Sequence, residues 1–371
     1  MERMLAIMER ELLRFSKSPA LITMSLIVPL LQLVVLGYAF GGTVRHLRVA
    51  IVDQDRAVPA VKFRELLGAV QANTSTFDTI EYHDVTVAID ALRQGKLNGV
   101  ITIPPDFSRR TLDKRAPQIA LITDNTDNVV AATLTASLSN LLVAYDAPRV
   151  VQRRIPGATS LDVVEVYPYV PYIQYLLPGS IVMSIFMMVM IGGGIIFIDD
   201  KARGLHEGYL VTPVTALELI LGFNLSGAIK AVIAGLVLMT FGTLIAGVPY
   251  PFEVLRLLRM LLVIVVTSMA LISMMFLIMV RMNNPLMPRA LFGALNTLLY
   301  FPSGAVYPQQ AFPGWLRAIA IVDPFTYAVH ALKCLLLKNT GLSAISHDLM
   351  FLSLFTVIAL GAATLVFRRT L

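Results

Sequence analysis

The chain is poor in cysteine and in charge, and both shortages narrow the classes of protein to which it can belong. Its single cysteine, Cys334, excludes an intrachain disulfide. Charged residues make up only 15% of the 371 residues, whereas 56% are hydrophobic and the mean hydropathy is +0.73. Soluble domains carry about 25% charged residues. The composition therefore indicates a membrane protein.

Several kinds of chemical site are also missing from the sequence. No GxxxxGK[ST] loop occurs, so the chain lacks the usual means of cradling a nucleotide phosphate. The histidines are scattered, and the acidic cluster at Asp124 and Asp127 lacks the glycine and the final glutamate of a calcium loop. Asp53 and Asp55 are best explained as a turn that ends a strand. We therefore expect no catalytic residue, no metal site and no cofactor on this chain.

Long apolar runs dominate what is present. They cover residues 20–40, 175–198, 219–247, 257–280, 290–307 and 349–367. Each meets or approaches the roughly 20 residues that a helix needs to cross about 30 Å of hydrocarbon. The sequence therefore predicts six transmembrane helices, of which the fifth runs directly into a proline-rich stretch.

Residues 1–18 predict an amphipathic helix ahead of the first transmembrane helix, which is assigned to residues 19–44. Apolar side chains recur at helical spacing on one face, at Met1, Met4, Leu5, Met8, Leu12 and Phe15. Charged side chains occupy the opposite face, at Glu2, Arg3, Glu9, Arg10, Glu11 and Arg14. This pattern is typical of a helix lying in the membrane interface, and a solvated N-terminal helix is the alternative.

The distribution of Lys and Arg predicts the orientation. With six spans and both termini on one side, eleven basic residues near span ends fall on that side, with Lys230 counted as snorkelling towards it. Five fall on the opposite side, including Arg256 and Arg259, which could reach the outer interface. The positive-inside rule then places both termini in the cytoplasm. Because these residues flank spans and form no stripe, the net charge of +6 does not indicate nucleic-acid binding.

Residues 45–170, between the first two spans, predict an α/β domain on the extracytoplasmic side. Strands are predicted at residues 47–52, 77–83, 99–103 and 119–123, and helices at 59–70, 85–94 and 129–154. Strands that alternate with helices suggest a small mixed or parallel sheet. The remaining residues, 171–371, are assigned to a transmembrane domain with five helices.

Two connecting stretches of this transmembrane domain are unusual. Residues 301–333, FPSGAVYPQQAFPGWLRAIAIVDPFTYAVHALK, are too apolar for a surface loop and too broken by Pro and Gly for one spanning helix. Such backbone is tolerated at membrane depth only when it is buried in protein or lines a cavity. We predict a re-entrant element at the mouth of a transport pathway. On the cytoplasmic side, residues 199–222 predict a short amphipathic helix near 203–216, with a solvated loop as the alternative.

Both stretches resemble motifs of ABC-transporter permeases of the type-2 exporter class. The cytoplasmic stretch is similar to the coupling helix of that family at Arg203, Gly204, Glu207, Leu210, Thr212 and Pro213. It departs from the family pattern at Leu205, Gly208 and Tyr209. The second stretch is similar to the family's outer re-entrant motif at Ser303, Gly304, Pro308, Pro313, Trp315, Pro324, Thr326, Tyr327, Ala331 and Lys333. The large domain after the first span narrows the resemblance, which covers essentially the whole chain, to bacterial multidrug-type exporters.

The resemblance implies an α-helical polytopic membrane protein of the type-2 ABC exporter fold with an inserted α/β extracytoplasmic domain. It also implies cytoplasmic ABC ATPase subunits, which would hold ATP and magnesium, a second permease subunit, identical or paralogous, and in some members a periplasmic adaptor. The location would be the bacterial cytoplasmic (inner) membrane, in contact with membrane lipids. The cargo would be an apolar or amphipathic compound, drug-like or lipid-like.

Span two supplies candidate residues for the substrate pathway, because methionine and phenylalanine adapt to apolar cargo. They are Met183, Phe186, Met187 and Met190, and plain packing is the alternative explanation.

Two other functions remain open at this point. A secondary, ion-coupled transporter would need an ion site deep in a span. The candidate acids instead fall at span edges or in the outer stretch, at Glu218, Glu253, Asp323 and Asp348. A membrane-anchored receptor would use residues 45–170 to bind a ligand, but it would not require five further spans.

Overall fold

The computed structural model describes residues 2–41, 46–74, 76–113, 115, 117–124, 126–146, 170–195, 214–248, 253–279, 282 and 286–366. The chain divides into two compact units. The larger unit contains Met1–Gly41 and Glu165–Leu371, and the smaller contains Gly42–Val164.

The described helices and strands are numbered in chain order. The helices are α1 (Glu2–Ser16), α2 (Pro19–Gly41), α3 (Val58–Thr74), α4 (Val85–Arg93), α5 (Phe107–Leu112), α6 (Asn128–Asp146), α7 (Tyr172–Val189), α8 (Ala216–Ala246), α9 (Val254–Met279), α10 (Leu286–Tyr300), α11 (Gly314–Val322), α12 (Pro324–Leu336) and α13 (Ser346–Val366). The strands are β1 (Leu47–Asp53), β2 (Phe77–Glu81), β3 (Gly99–Ile103) and β4 (Ala120–Thr123). A π-helix, Met190–Ile195, continues α7, and short 3₁₀ turns lie at Gln309–Ala311 and Leu342–Ile345.

Five helices of the larger unit are long and apolar enough to cross a membrane: α2, α7, α8, α9 and α13, the last together with the 3₁₀ turn before it. The bent pair of α11 and α12 raises the number to six if the pair counts as one span. The five helices coincide with the predicted first, second, third, fourth and sixth spans. The described part of the chain is therefore that of a helical polytopic membrane protein.

The predicted fifth span, residues 290–307, differs from the helix found there. Helix α10 has 15 residues and ends at Tyr300. At 1.5 Å per residue it is about 22 Å long, which is shorter than about 30 Å of hydrocarbon. The chain leaves the helix because Pro302 follows, and Gly304 adopts a left-handed φ of 80°. The prediction of one continuous helix through residue 307 was therefore wrong.

Helix α7 is the central helix of the larger unit. All its residues from 176 to 189 are buried, and it packs against α2, α8, α9 and α12. Its small polar side chains bond to neighbouring backbone, since the Ser184 hydroxyl lies 3.4 Å from the carbonyl oxygen of Ser25 on α2. Such contacts provide hydrogen-bond partners for polar side chains inside a helical bundle, where water is not available.

The smaller unit contains a four-stranded mixed sheet in the order β2-β1-β3-β4. Strand β1 pairs in parallel with β2 and β3, and β3 pairs antiparallel with β4. Side chains alternate across β1, so Val49 and Ile51 pack with α3, α5 and α6 on one face, while Ala50 and Val52 pack with α4 on the other. The predicted strands coincide with β1 to β4 to within two residues. Helix α5 was not predicted, and residues 147–154 of the last predicted helix lie outside the described residues.

Carboxylates in the smaller unit cap turns, as the strand-ending interpretation of Asp53 predicted. Its Oδ1 accepts the backbone N–H groups of Asp55 at 3.0 Å and Arg56 at 2.9 Å, which confirms that interpretation. Asp124 accepts the backbone N–H of Thr126 at 2.9 Å. That bond, together with one to the Thr126 side chain, lowers the pKa of Asp124.

Helix α1 packs against α8, and its buried stripe is Ile7, Glu11 and Phe15. The prediction that Glu11 lies on an exposed charged face was wrong, because the helix is rotated so that this residue points into the packed contact. The predicted snorkelling of Lys230 was also wrong, since its side chain is buried beside Glu11. This charged residue, in the middle of an apolar run, therefore lies beside an opposite charge within the protein.

Two further basic residues, Arg256 and Arg259, which were predicted to reach the outer interface, donate hydrogen bonds to backbone carbonyl oxygens. Arg256 is buried, and its Nε donates to the carbonyl oxygen of Leu335 at 3.0 Å, while its guanidinium also donates to that of Leu336. Arg259 donates to the carbonyl oxygen of Thr340 at 3.3 Å. The last carbonyls of a helix lack partners within the helix. Arg256 therefore caps the C-terminal end of α12.

Candidate functional site

The broken element predicted from residues 301–333 is a helix pair that bends sharply. Helices α11 and α12 meet at Asp323 with an angle of 83° between them. The Asp323 carboxylate accepts the backbone N–H of Phe325 at 2.9 Å, and Pro324 occupies the first turn of α12. Proline is favoured there because that position needs no N–H donor. The sequence Asp-Pro thus ends one helix and begins the next.

The turn before this pair is pinned through the carbonyl oxygen of Gly304. Lys333 Nζ on α12 donates to that oxygen at 2.5 Å, and the Tyr175 hydroxyl on α7 lies 3.3 Å from it. The Lys333 ammonium also lies 3.5 Å from the centroid of the Tyr175 ring, which is a cation–π contact. The first and last parts of the re-entrant motif, Ser303-Gly304 and Lys333, therefore meet in space.

Three further contacts hold the same turn: two of them join it to α7, and the third lies within the turn. The Tyr172 hydroxyl donates to the carbonyl oxygen of Val306 at 2.9 Å. A Cβ atom added at Gly179 would lie 2.5 Å from Cβ of Ala305, so glycine is needed there for the turn to approach α7. Gln309 Nε2 donates to the carbonyl oxygen of Pro302 at 3.0 Å.

A cavity of about 400 Å³ lies beside this turn, and we refer to it as the turn cavity. It is lined by Val170, Tyr175, Ser303, Gly304, Pro308, Gln309, Gln310, Thr326, Val329, His330, Lys333, Cys334, Leu337 and Lys338. A second cavity, of about 390 Å³, has Gln309, Gln310 and Thr326 in common with it and adds Tyr327. Clefts of this size are typical of sites for small molecules.

The predicted gate residues fall into different places around these cavities. Ser303, Gly304 and Pro308 line the turn cavity, and Tyr327 lines the second one. The other three do not line either cavity: Pro313 precedes α11, Trp315 is exposed on α11, and Pro324 is buried at the start of α12. Their role as a gate stays a prediction.

Sequence reasoning missed a polar cluster on the wall of the turn cavity. His330 Nδ1 lies 2.8 Å from Asp348 Oδ2, and His330 Nε2 lies 3.7 Å from Cys334 Sγ. The spacing of four residues between His330 and Cys334 on one helix was the available signal. Among the described residues, no group of three acidic, histidine or cysteine side chains is arranged to hold a metal ion.

The four pathway candidates of span two are packed inside this chain. Met183, Phe186, Met187 and Met190 are at most 7% exposed. The Phe186 ring stacks on Phe292 of α10, with centroids 5.7 Å apart, and meets Phe325 of α12 edge-on at 5.2 Å. Phe186 therefore packs α7 against α10 and α12, and the lining of a pathway by these four residues stays a prediction.

The predicted coupling residues, Arg203, Gly204, Glu207, Leu210, Thr212 and Pro213, lie outside the described residues. The chain is described again from Val214, where a capping box begins α8. The backbone N–H of Glu218 donates to Thr215 Oγ1 at 3.2 Å, and that of Thr215 donates to Glu218 Oε2 at 2.9 Å. The segment that contains these residues therefore joins a helix with a well-defined start.

An apolar bundle with a sharply broken helix pair and an adjoining cavity is the architecture of a membrane transport permease. The chain belongs to the ABC-2 family of transporter proteins, whose family model matches residues 19–365. Members of this kind are the transmembrane permease subunits of ABC exporters, and this chain is such a subunit.

Curated relatives match along nearly the whole chain. The chain is 24% identical to the "Probable multidrug ABC transporter permease YbhS" of Escherichia coli (strain K12), with 100% of this chain and 97% of the relative covered. It is 21% identical to the "Probable multidrug ABC transporter permease YbhR" of the same strain, with 99% and 98% covered. It is 22% identical to "ABC transporter G family member 20" of Dictyostelium discoideum, with 91% of this chain and 46% of the relative covered.

Proposed function

We propose that this permease exports apolar or amphipathic compounds, drug-like or lipid-like, across the bacterial cytoplasmic membrane. The energy would come from ATP hydrolysed on separate cytoplasmic ATPase subunits, which also hold the magnesium. The observation that carries the proposal is a full-length match to the ABC-2 family in a chain that contains no GxxxxGK[ST] loop. The relatives named as multidrug permeases support the class of cargo.

The re-entrant region supports a place for this cargo. Helices that break at membrane depth are tolerated where they line a cavity, because unpaired amides in lipid cost several kcal/mol each. The 83° bend at Asp323 adjoins two cavities of about 400 and 390 Å³. We propose that Ser303, Gly304 and Pro308 belong to the outer end of the pathway.

The distribution of Lys and Arg supports the orientation within the proposal. Both termini would lie in the cytoplasm and residues 45–170 outside it. Helices α2 and α13 carry large exposed apolar side chains, for instance Val35 and Val357. In a membrane such faces contact lipid or another protein. A second permease subunit, identical or paralogous, would cover part of them, and a periplasmic adaptor is a further proposed partner.

Coupling to the ATPase is proposed for residues 203–216, through Arg203, Gly204, Glu207, Leu210, Thr212 and Pro213. Packed helices shift as rigid units. The capping box at Thr215 begins α8 directly after this segment. A push on the segment would therefore pass into α8, which packs against the central helix α7.

The test is co-expression of the chain with its candidate ATPase, followed by purification in detergent and reconstitution. We expect the ATPase to co-purify and its hydrolysis to rise with amphipathic cargo. Glu207→Ala and Pro213→Ala should keep membrane insertion and lose the cargo-stimulated hydrolysis. Glu65→Ala, on the exposed face of α3, is the matched control and should behave as the unaltered chain.

Four results would overturn the proposal. Nucleotide hydrolysis by the purified chain alone would remove the need for a partner ATPase. External accessibility of residues 199–222 would reverse the orientation. Transport in ATPase-free vesicles under an ion gradient would favour a secondary transporter. Ligand binding by residues 45–170 without any ATPase would favour a receptor.

A further inference from the structure

The described lining of the turn cavity includes Lys333, Lys338 and His330. No Asp or Glu is among these described lining residues. Asp348, whose Oδ2 lies 2.8 Å from His330 Nδ1, is not among the described lining residues. Among the described lining residues, the two lysines are therefore the groups that would attract an anion.

Lys333 is the more enclosed of the two lysines, and its partners are neutral. Its ammonium donates to the carbonyl oxygen of Gly304 and lies over the ring of Tyr175. An ammonium has three donors, and neither of these partners brings a countercharge. No described carboxylate forms an ion pair with it. A half-buried cation without a countercharge is costly, so the site favours an anion.

The rest of the lining suits an apolar tail. Val329 of α12 and Leu337, the residue that follows this helix, line the cavity together with Val170 and Pro308. The volume of about 400 Å³ lies within the roughly 300–1,000 Å³ range of small-molecule sites. Polar groups that fix one end of a ligand and apolar groups that surround the other are what an amphiphile requires.

We propose that the turn cavity binds an anionic amphiphile, with its carboxylate or phosphate head group at Lys333 and Lys338 and its tail along Val329 and Leu337. This inference rests on the proposed export function only in treating the ligand as cargo. Binding itself is a property of this chain and can be measured without an ATPase.

Cys334 provides the measurement, because it lines the cavity and is the single cysteine of the chain. The full chain is placed in nanodiscs of neutral lipid and alkylated with iodoacetamide, and the rate is followed by mass spectrometry. At about ten times its dissociation constant a ligand leaves roughly one-tenth of the sites free, so decanoate and decyl phosphate should slow alkylation about tenfold. Decanol, decyltrimethylammonium and inorganic phosphate at the same concentration should protect far less.

Variants identify the groups that bind the head group. Lys333→Gln keeps a donor for Gly304 but loses the charge. It should raise the dissociation constant of decanoate about tenfold, equivalent to 1.4 kcal/mol, so that the same concentration slows alkylation only about twofold. Lys333→Arg should retain protection, and Lys338→Gln should show a smaller loss. Arg93→Gln removes an exposed charge from α4 and should change nothing. If Lys333→Gln does not fold, the comparison of ligands on the unaltered chain still decides the question.

Equal protection by decanol or decyltrimethylammonium would overturn the proposal, because the site would then not select an anion. Equal protection by inorganic phosphate would also overturn it, since the tail would contribute nothing. Absence of protection by every ligand would show that the cavity is not a binding site. None of these results bears on whether the chain couples to an ATPase, so the two proposals can fail separately.

Discussion

The ammonium of Lys230 on α8 lies 3.6 Å from the carboxylate of Glu11 on α1, and both side chains are at most 2% exposed. The Phe15 ring lies 5.3 Å from the same ammonium. Helix α1 approaches α8 closely at Gly222, where an added Cβ would lie 3.0 Å from Ile7 Cγ2. The pair therefore fixes the N-terminal helix to the helix that follows the proposed coupling segment.

Removing one member of this pair should be more harmful than removing both. Lys230→Met leaves the buried Glu11 carboxylate with Arg10 Nη1 at 3.2 Å as a remaining cationic partner, so the loss should lie below the roughly 3–5 kcal/mol of a fully uncompensated buried charge. The double variant Glu11→Leu with Lys230→Met should regain much of that loss. The stability of both variants is measured by thermal unfolding of the detergent-solubilised protein, followed by size-exclusion chromatography. A double variant at least as unstable as Lys230→Met alone would contradict this account.

Arg256→Met should destabilise the contact between α9 and α12. It removes the donors that reach the carbonyl oxygens of Leu335 and Leu336. Each buried acceptor left without a partner costs about 1–3 kcal/mol. Arg259→Met is the control, because that side chain makes one longer bond, of 3.3 Å, to Thr340. Equal melting temperatures for the two variants would argue against a capping role for Arg256.

Gly304→Ala should distort the turn that lines the turn cavity. Its φ of 80° is left-handed, and a side chain there costs about 1–2 kcal/mol. An added Cβ would also lie 3.1 Å from Cγ of Gln309. We expect a lower melting temperature and faster alkylation of Cys334. Gly314→Ala meets no atom within 4 Å and should leave both measurements unchanged, so a similar effect of the two substitutions would refute the explanation.

Thr215→Ala should loosen the first turn of α8. The side chain accepts the backbone N–H of Glu218 at 3.2 Å, and loss of such a cap costs about 1 kcal/mol. Thr215→Ser keeps the hydroxyl and should behave as the unaltered chain. Hydrogen exchange of the amides at the start of α8 measures the difference. Identical exchange in the Ala and Ser variants would show that the capping box does not hold this helix end.

Most of the elements were predictable because each one has a strong local signal. The apolar run at residues 219–247 corresponds to α8, Ala216–Ala246. Such a run is easily recognised, because a helix that crosses the lipid needs about 20 consecutive apolar residues. The strand at Gly99–Ile103 was predicted at its observed bounds, since Gly and Pro residues flank a run of β-branched side chains.

The pairings between distant charges were not predictable. Glu11 and Lys230 are far apart in the sequence, and the helical spacing placed Glu11 on the charged face of its helix, opposite the apolar one. Which residues of α1 are buried depends on the surface of α8 against which α1 packs. This tertiary contact cannot be read from the sequence of α1 alone. Arg256 was misread for the same reason, because the carbonyls that it caps belong to another helix.

The candidate site was predictable in part. The break at Asp323-Pro324 and the glycine at 304 follow from local chemistry, and both are found in the turn and the bent pair. The cavity was not predictable, because it depends on how α7, α12 and the turn pack together. The His330–Asp348 pair was missed for the same reason, since the two residues lie on different helices.

The bent pair also offers an optical property of use in studying this protein. Helix α11 is largely uncovered, and Trp315, the single tryptophan of the chain, is 68% exposed on it. The other helix of the pair, α12, is held at its C-terminal end by Arg256, and its Lys333 bonds to the carbonyl oxygen of Gly304. Intrinsic tryptophan fluorescence of this protein therefore reports on one short helix alone, and its emission can follow the movement of that helix without any attached dye.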